Sequence, residues 1–159
     1  MKTVVVLASS VLLLPLLLAD FSPQDSTCKA IWLFNLPCAR PNRALVRQVM
    51  NWSSNKCADE EEKCMYKVVR STSYFLEVMH TSPDSSQTTV MYFDFYPPQH
   101  SNFCKIWAYA VTSPFNATNA REFCLFHNLF QASGLTTVPG FREITDVRMC
   151  PSVSTATCL

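Results

Sequence analysis

From Cys64 to Thr112 the chain alternates four apolar segments with short polar breaks. The segments are Cys64 to Arg70, Tyr74 to His80, Thr88 to Tyr96 and Phe103 to Thr112, rich in Val, Tyr, Phe, Trp, Thr and Ile. Such residues fit the pleated surface of a strand, and the breaks Ser71-Thr72-Ser73, Thr81 to Ser86 and Pro97 to Asn102 carry turn chemistry. Parallel neighbours need a crossover of about a dozen residues or more, so links this short predict an antiparallel meander. None of the links contains glycine, which predicts longer or type I turns built on Ser, Pro, Asp and Asn.

The faces of the last two segments have an unusual pattern. In the third, Met91, Phe93 and Phe95 share one side while Val90, Tyr92, Asp94 and Tyr96 share the other; in the fourth, Phe103, Trp107, Tyr109 and Val111 oppose Cys104, Ile106, Ala108 and Ala110. A half-exposed sheet alternates apolar and polar positions, so both faces here are expected to be covered, or the sheet to curl around an interior. Small Ala108 and Ala110 would let a helix approach closely.

Helical spacing appears twice. Residues 42–54 place Leu45, Val46, Val49 and Trp52 on one face, with Asn42 as the expected N-cap after Pro41. Asn119 and Glu122 resemble a capping box before Phe123, Leu125, Phe126, Leu129 and Phe130, and Gly134 fits the position just past the helix end. Residues 20–41, with Trp32, Phe34 and Leu36, are expected to form an irregular lead-in packed across the core, and Phe141 to Met149 a short strand. The expected fold class is α+β: an N-terminal helix on a four-stranded antiparallel meander, with a second helix near the C-terminus.

The ends and the cysteines set the compartment. Residues 1–19, with Lys2 before the apolar run Val4 to Leu18 and then Ala19, read as a secretory signal peptide. Residues 20–159 then form a single domain that is secreted to the extracellular space and has no membrane segment. All eight cysteines lie in that part: Cys28, Cys38, Cys57, Cys64, Cys104, Cys124, Cys150 and Cys158. An even count in an oxidising compartment predicts four disulfides. Sequence-local closure suggests Cys28–Cys38, Cys57–Cys64, Cys150–Cys158 and Cys104–Cys124. Asn51 and Asn116 open N-glycosylation sequons.

Charge and motifs narrow the function. Without Lys2 the chain holds twelve basic and twelve acidic residues, which argues against a nucleic-acid binder. The Asp59-Glu60-Glu61-Glu62 run lacks the glycine and alternation of a calcium loop and reads as a solvated loop. His80, His100 and His127 show no metal-ligating spacing, and no Gly-x-Ser-x-Gly or phosphate-cradling loop is present, so no metal, no cofactor and no catalytic set is expected. A hydrolase would have to use His80 or His127 with a nearby carboxylate. The positive reading is a binding module for a protein partner or a small apolar ligand, with Phe95, Trp107 and Tyr109 as the candidate face.

One helix followed by a four-stranded meander over residues 42–112 resembles the layout of the cystatins. The resemblance implies inhibition of papain-like proteases. That family acts through a Gln-x-Val-x-Gly hairpin, an N-terminal glycine and a Pro-Trp hairpin. None of the three is found, and the first turn reads Arg70-Ser71-Thr72-Ser73.

Overall fold

The computed structural model describes residues 27–53, 63–96, 101–114, 121–154 and 158. Six strands form one antiparallel sheet: β1 (Thr27–Phe34), β2 (Tyr66–Ser71), β3 (Phe75–Thr81), β4 (Thr88–Tyr96), β5 (Cys104–Ser113) and β6 (Arg142–Ile144), in the order β2-β3-β4-β5-β1-β6. Two helices, α1 (Ala39–Asn51) and α2 (Glu122–Ala132), complete the α+β fold.

The meander β2 to β5 is present, but β5 is not its edge. The expected lead-in is itself a strand: β1 lies between β5 and β6, pairing Ala30 with Ala108 and Trp32 with Ile106. Its alternation is visible once the register is known. Cys28, Ala30, Trp32 and Phe34 are buried, and Lys29, Ile31 and Leu33 point the other way. The strand escapes a local reading because its partner lies some eighty residues away and apolar residues occupy both its faces. The expected strand from Phe141 to Met149 shrinks to three residues, Arg142–Ile144.

Both helices lie on one face and touch each other. Leu45 and Val49 of α1 and Phe126, Leu129 and Phe130 of α2 meet Leu76, Val78, Met91, Phe93, Phe95, Ile106 and Ala108 in a single core. Phe130 stacks on Trp32 at 4.0 Å, and Phe126 meets Phe93 edge-on at 5.7 Å. Ala108 and Ala110 are fully buried beneath this layer, as their size predicts. Among the described residues, neither helix packs on the opposite face.

Helix boundaries shift for identifiable reasons. Helix α1 begins three residues before the expected start, with Cys38 at its N-cap and the first helical bond running from Asn42 N to Cys38 O at 3.1 Å. Pro41 sits in the first turn, where its missing N–H is one the helix cannot use. Asn42 is therefore inside the helix. Its buried amide donates to Thr72 O at 2.8 Å and ties α1 to the β2–β3 turn. Helix α2 starts at Glu122 after Arg121, and the Asn119 half of the expected capping box lies outside the described residues. Gly134 does follow α2 with φ +75°, the left-handed conformation that glycine adopts without steric cost.

The disulfides overturn the local pairing scheme. Cys28 joins Cys150, Cys38 joins Cys104 and Cys124 joins Cys158. The expected Cys28–Cys38, Cys150–Cys158 and Cys104–Cys124 bridges are thus excluded. Cys64 is also disulfide-bonded, but Cys57 lies outside the described residues, so Cys57–Cys64 is not addressed. The physical reason is the sheet: β1 pairs with β5 and packs beside the tail, which brings sequence-distant thiols together.

The β3–β4 link is a six-residue turn without glycine, as expected. Ser82 N donates to Gln87 O, Ser85 takes a positive φ, and the Asp84 carboxylate accepts from the Ser82 hydroxyl and from Ser86 N. These hydrogen bonds hold the Asp84 pKa down at about 2. The sign follows: the turn's carboxylate contribution is complete above the ordinary carboxylate pKa and is lost as pH falls through about 2. An NMR titration of the Asp84 carboxyl carbon should give a midpoint near 2 in the folded protein. Ser82→Ala should return it toward 3.8. A wild-type midpoint already near 3.8 would show the turn is not formed in solution.

Candidate functional site

The candidate site is the sheet face that the helices leave uncovered. Strand register sets its side chains in cross-strand rows. One row runs Phe75, Asp94, Trp107, Ile31, Ile144 from β3 to β6. Above it lie Tyr96, Lys105, Leu33 and Arg142; below it lie Glu77, Tyr92, Tyr109 and Lys29, then Met79, Val90 and Val111. With strands about 4.8 Å apart and same-face residues about 6.8 Å apart, this is a patch about 20 Å on a side. Its footprint, charged side chains included, is on the order of 400 Å².

Within the patch the rings cover one another. Tyr92 and Tyr109 stack with centroids 4.5 Å apart, and Phe75 lies 6.4 Å from Tyr92. Arg70 extends over the Phe75 ring at 4.5 Å and reaches the Glu77 carboxylate at 3.6 Å. Burial against these neighbours raises the Tyr109 pKa, with the nearby Tyr92, Asp94 and Glu77 acting in the same direction. Trp107 is exposed at 38 % on an interior strand, and Ile144 at 45 % on the edge strand β6.

Asp94, Tyr96, Lys105 and Trp107 line an open dish at the upper end of the patch. The Lys105 ammonium lies 5.5 Å from the Trp107 ring centroid, within cation–π range. Asp94 stands opposite Trp107 in the ladder, and partial burial raises its pKa above the usual carboxylate value. The arrangement offers polar contacts around aromatic surface. It contains no nucleophile paired with a base.

The sequence-derived face is divided by the structure. Trp107 and Tyr109 lie on the uncovered side, but Phe95 pairs with Ile106 and is buried at 1 % on the helix side. The register across the 97–102 link decides this parity, and the residues alone do not carry it. Register also adds Ile31, Leu33, Lys105, Arg142 and Ile144, none of which the sequence reading singled out. Asn51 is exposed at the end of α1, where a glycan would have room, and Asn116 lies outside the described residues.

The histidines occupy structural positions. His127 Nδ1 is 3.9 Å from Glu143 Oε2, which accepts the Trp32 indole N–H at 2.9 Å; this links α2, β6 and β1. His80 is buried on the helix side, where it lines, with Ser82, Gln87, Thr89, Thr112, Arg121, Glu122 and Leu125, a cavity of about 30 Å³. Thr89 and Thr112 share a hydrogen bond at 2.8 Å there. A space of that size holds about one water and no organic substrate. His100 lies outside the described residues. Among the described residues no group of three or more His, Cys, Asp or Glu is placed to hold a metal ion, and no helix is long and apolar enough to cross a membrane.

Comparison of the chain with protein-family models, curated proteins and solved structures returned no match.

Proposed function

We propose that this chain is a secreted, disulfide-stabilised binding module that engages a protein partner across the uncovered face of its sheet. The observation that carries the reading is the contiguous row of Trp107, Ile31 and Ile144 beside Tyr92 and Tyr109, left without a covering element among the described residues. Tyr and Trp are the side chains that dominate binding at interface centres, because they supply large contact area at small entropic cost.

A protein partner is favoured over a small apolar ligand. Trp32, Phe34, Phe93, Phe126 and Phe130 fill the layer between sheet and helices, so the aromatic content read from the sequence is spent on packing there. The outer face carries the open dish at Asp94, Tyr96, Lys105 and Trp107, which suits another macromolecular surface better than an enclosed small molecule. A cystatin-type inhibitor is the weaker reading, since the turn between β2 and β3 offers Thr72, Ser73 and Tyr74 where that family presents a glycine-containing hairpin.

Photo-crosslinking tests the proposal. A benzophenone side chain in place of Trp107, in the protein exported to its native fluid, should yield one discrete crosslinked species. The same probe at Arg43, exposed on α1, should yield none. Equal labelling from both positions, or none from Trp107, would remove the assignment of this face.

A further inference from the structure

The uncovered face is not uniform in charge, although the exported chain is neutral overall. It carries Lys29, Lys67, Arg70, Lys105 and Arg142 against Glu77 and Asp94, and Arg70 is committed to Glu77 at 3.6 Å. The imbalance is concentrated. On the β5–β1–β6 half, Lys105 and Arg142 flank Leu33 in one row, Lys29 lies beside Tyr109 two rows away, and no carboxylate of these strands points to that side. Glu143, the acidic residue of β6, faces the helices and accepts from Trp32. Three cations therefore frame Trp107, Ile31 and Ile144 on this half, and Asp94 of β4 adjoins Trp107 at the other end of the row.

Resting on the protein-binding reading above, we propose that the partner is an acidic protein surface. It seats an apolar side chain on the Trp107–Ile31–Ile144 row and places carboxylates over Lys29, Lys105 and Arg142. Charge complementarity of this kind fixes register and speeds encounter, while the apolar centre supplies the affinity. The layout argues against a sulfated polysaccharide or a phospholipid surface. Lys105 and Arg142 are two strands apart, about 10 Å, with Leu33 between them, and Lys29 lies further along. A polyanion chain is served by adjacent cations without an oily centre. A bilayer is served by apolar side chains projecting from loops, not by side chains lying flush in a sheet.

The test is an unbiased selection of random displayed linear peptides on the folded, exported protein. Binders should combine Asp or Glu with a central apolar or aromatic residue, and should be lost on Trp107→Ala. Their affinity should fall at least about tenfold as NaCl rises from about 50 to about 500 mM, where screening shortens to a few ångströms. Lys29→Glu, Lys105→Glu and Arg142→Glu together should abolish them and select basic peptides instead. Should the triple variant fail to be exported, Lys105→Gln with Arg142→Gln serves, with at least about a fivefold loss expected from removing two cations. Binders that need Trp107 but show no acidic bias, or keep their affinity after charge reversal, would overturn the acidic-partner assignment while leaving the face in place. Binders indifferent to Trp107→Ala would overturn both. Tight binding of the wild type to heparin or phosphatidylserine vesicles, without acidic peptides, would replace the protein partner by a polyanion or a membrane.

Discussion

Replacing Cys28 and Cys150 together by alanine should lower the unfolding free energy by about 4 kcal/mol. The bridge joins residues 122 apart in sequence, and the loop-entropy relation gives about 5 kcal/mol for a loop of that length. The Cys38–Cys104 bridge is nested inside it and shortens the effective loop. With Cys124–Cys158 also in place the path runs from Cys28 to Cys38, from Cys104 to Cys124 and from Cys158 to Cys150, about a third of the residues, which brings the figure to about 4 kcal/mol. Alanine is the right replacement because both sulfurs are buried and a serine hydroxyl there would need a partner. Equilibrium urea denaturation would read the effect as a lower midpoint, with a steeper slope because the unfolded chain is freer to expand. A loss under about 1 kcal/mol would mean that the tail is not tied to β1 in the native protein. The bridge also serves the site. Lys29 N bonds Met149 O at 2.8 Å and the Thr145 hydroxyl bonds Lys29 O at 2.9 Å, so the segment carrying Arg142 and Ile144 is anchored to the strand that carries Lys29 and Ile31.

Local pattern made most of the meander and both helices legible, because each depends on residues near in sequence. The 3.6-residue spacing of Phe123, Phe126 and Phe130 needs no tertiary information, and neither does the β-rich composition of Thr88 to Tyr96. What could not be read is what the sheet imposes from a distance. Strand β1 pairs with residues near 104–111 and 142–144, so its identity, the Cys28–Cys150 and Cys38–Cys104 bridges and the grouping of Ile31 with Trp107 and Ile144 all come from one long-range event. Phe95 shows the same limit on a smaller scale. Its parity relative to Trp107 changes with a one-residue slip in register, which moves every side chain to the other face. The oily double-sidedness of β4 and β5 was legible, and among the described residues one of the two sides carries no helix.

The same division explains why the sequence named too few of the site's residues. Lys105 and Arg142 sit in unremarkable contexts, one inside an apolar strand and one in a polar tail. Only the ladder β5–β1–β6 places them in one row on either side of Leu33. Charge on this protein carries information by position, since the net charge is only +1.

Phe130→Ala should destabilise the fold by about 3–5 kcal/mol, the range for deleting a fully buried phenylalanine and leaving a cavity. Its ring is completely buried and contacts three others: Trp32 at 4.0 Å, and Phe34 and Phe93 each at 6.2 Å. These belong to β1 and β4, so the one side chain fastens α2 across the sheet. The site around it cannot collapse easily, because Trp32 is also held by its indole N–H to Glu143 and Phe93 by the edge-on Phe126 ring. Thermal denaturation should therefore show a midpoint lowered by several degrees or more, and Phe130→Leu should recover part of the loss by refilling most of the cavity without the ring stacking on Trp32. Peptide binding at the uncovered face should survive in the fraction that remains folded, since Phe130 lies beneath the opposite side. A normal melting midpoint for Phe130→Ala would contradict the packing of α2 on β1. Loss of face binding at a temperature where the variant is fully folded would mean that the helix layer sets the geometry of the outer rows as well as their stability.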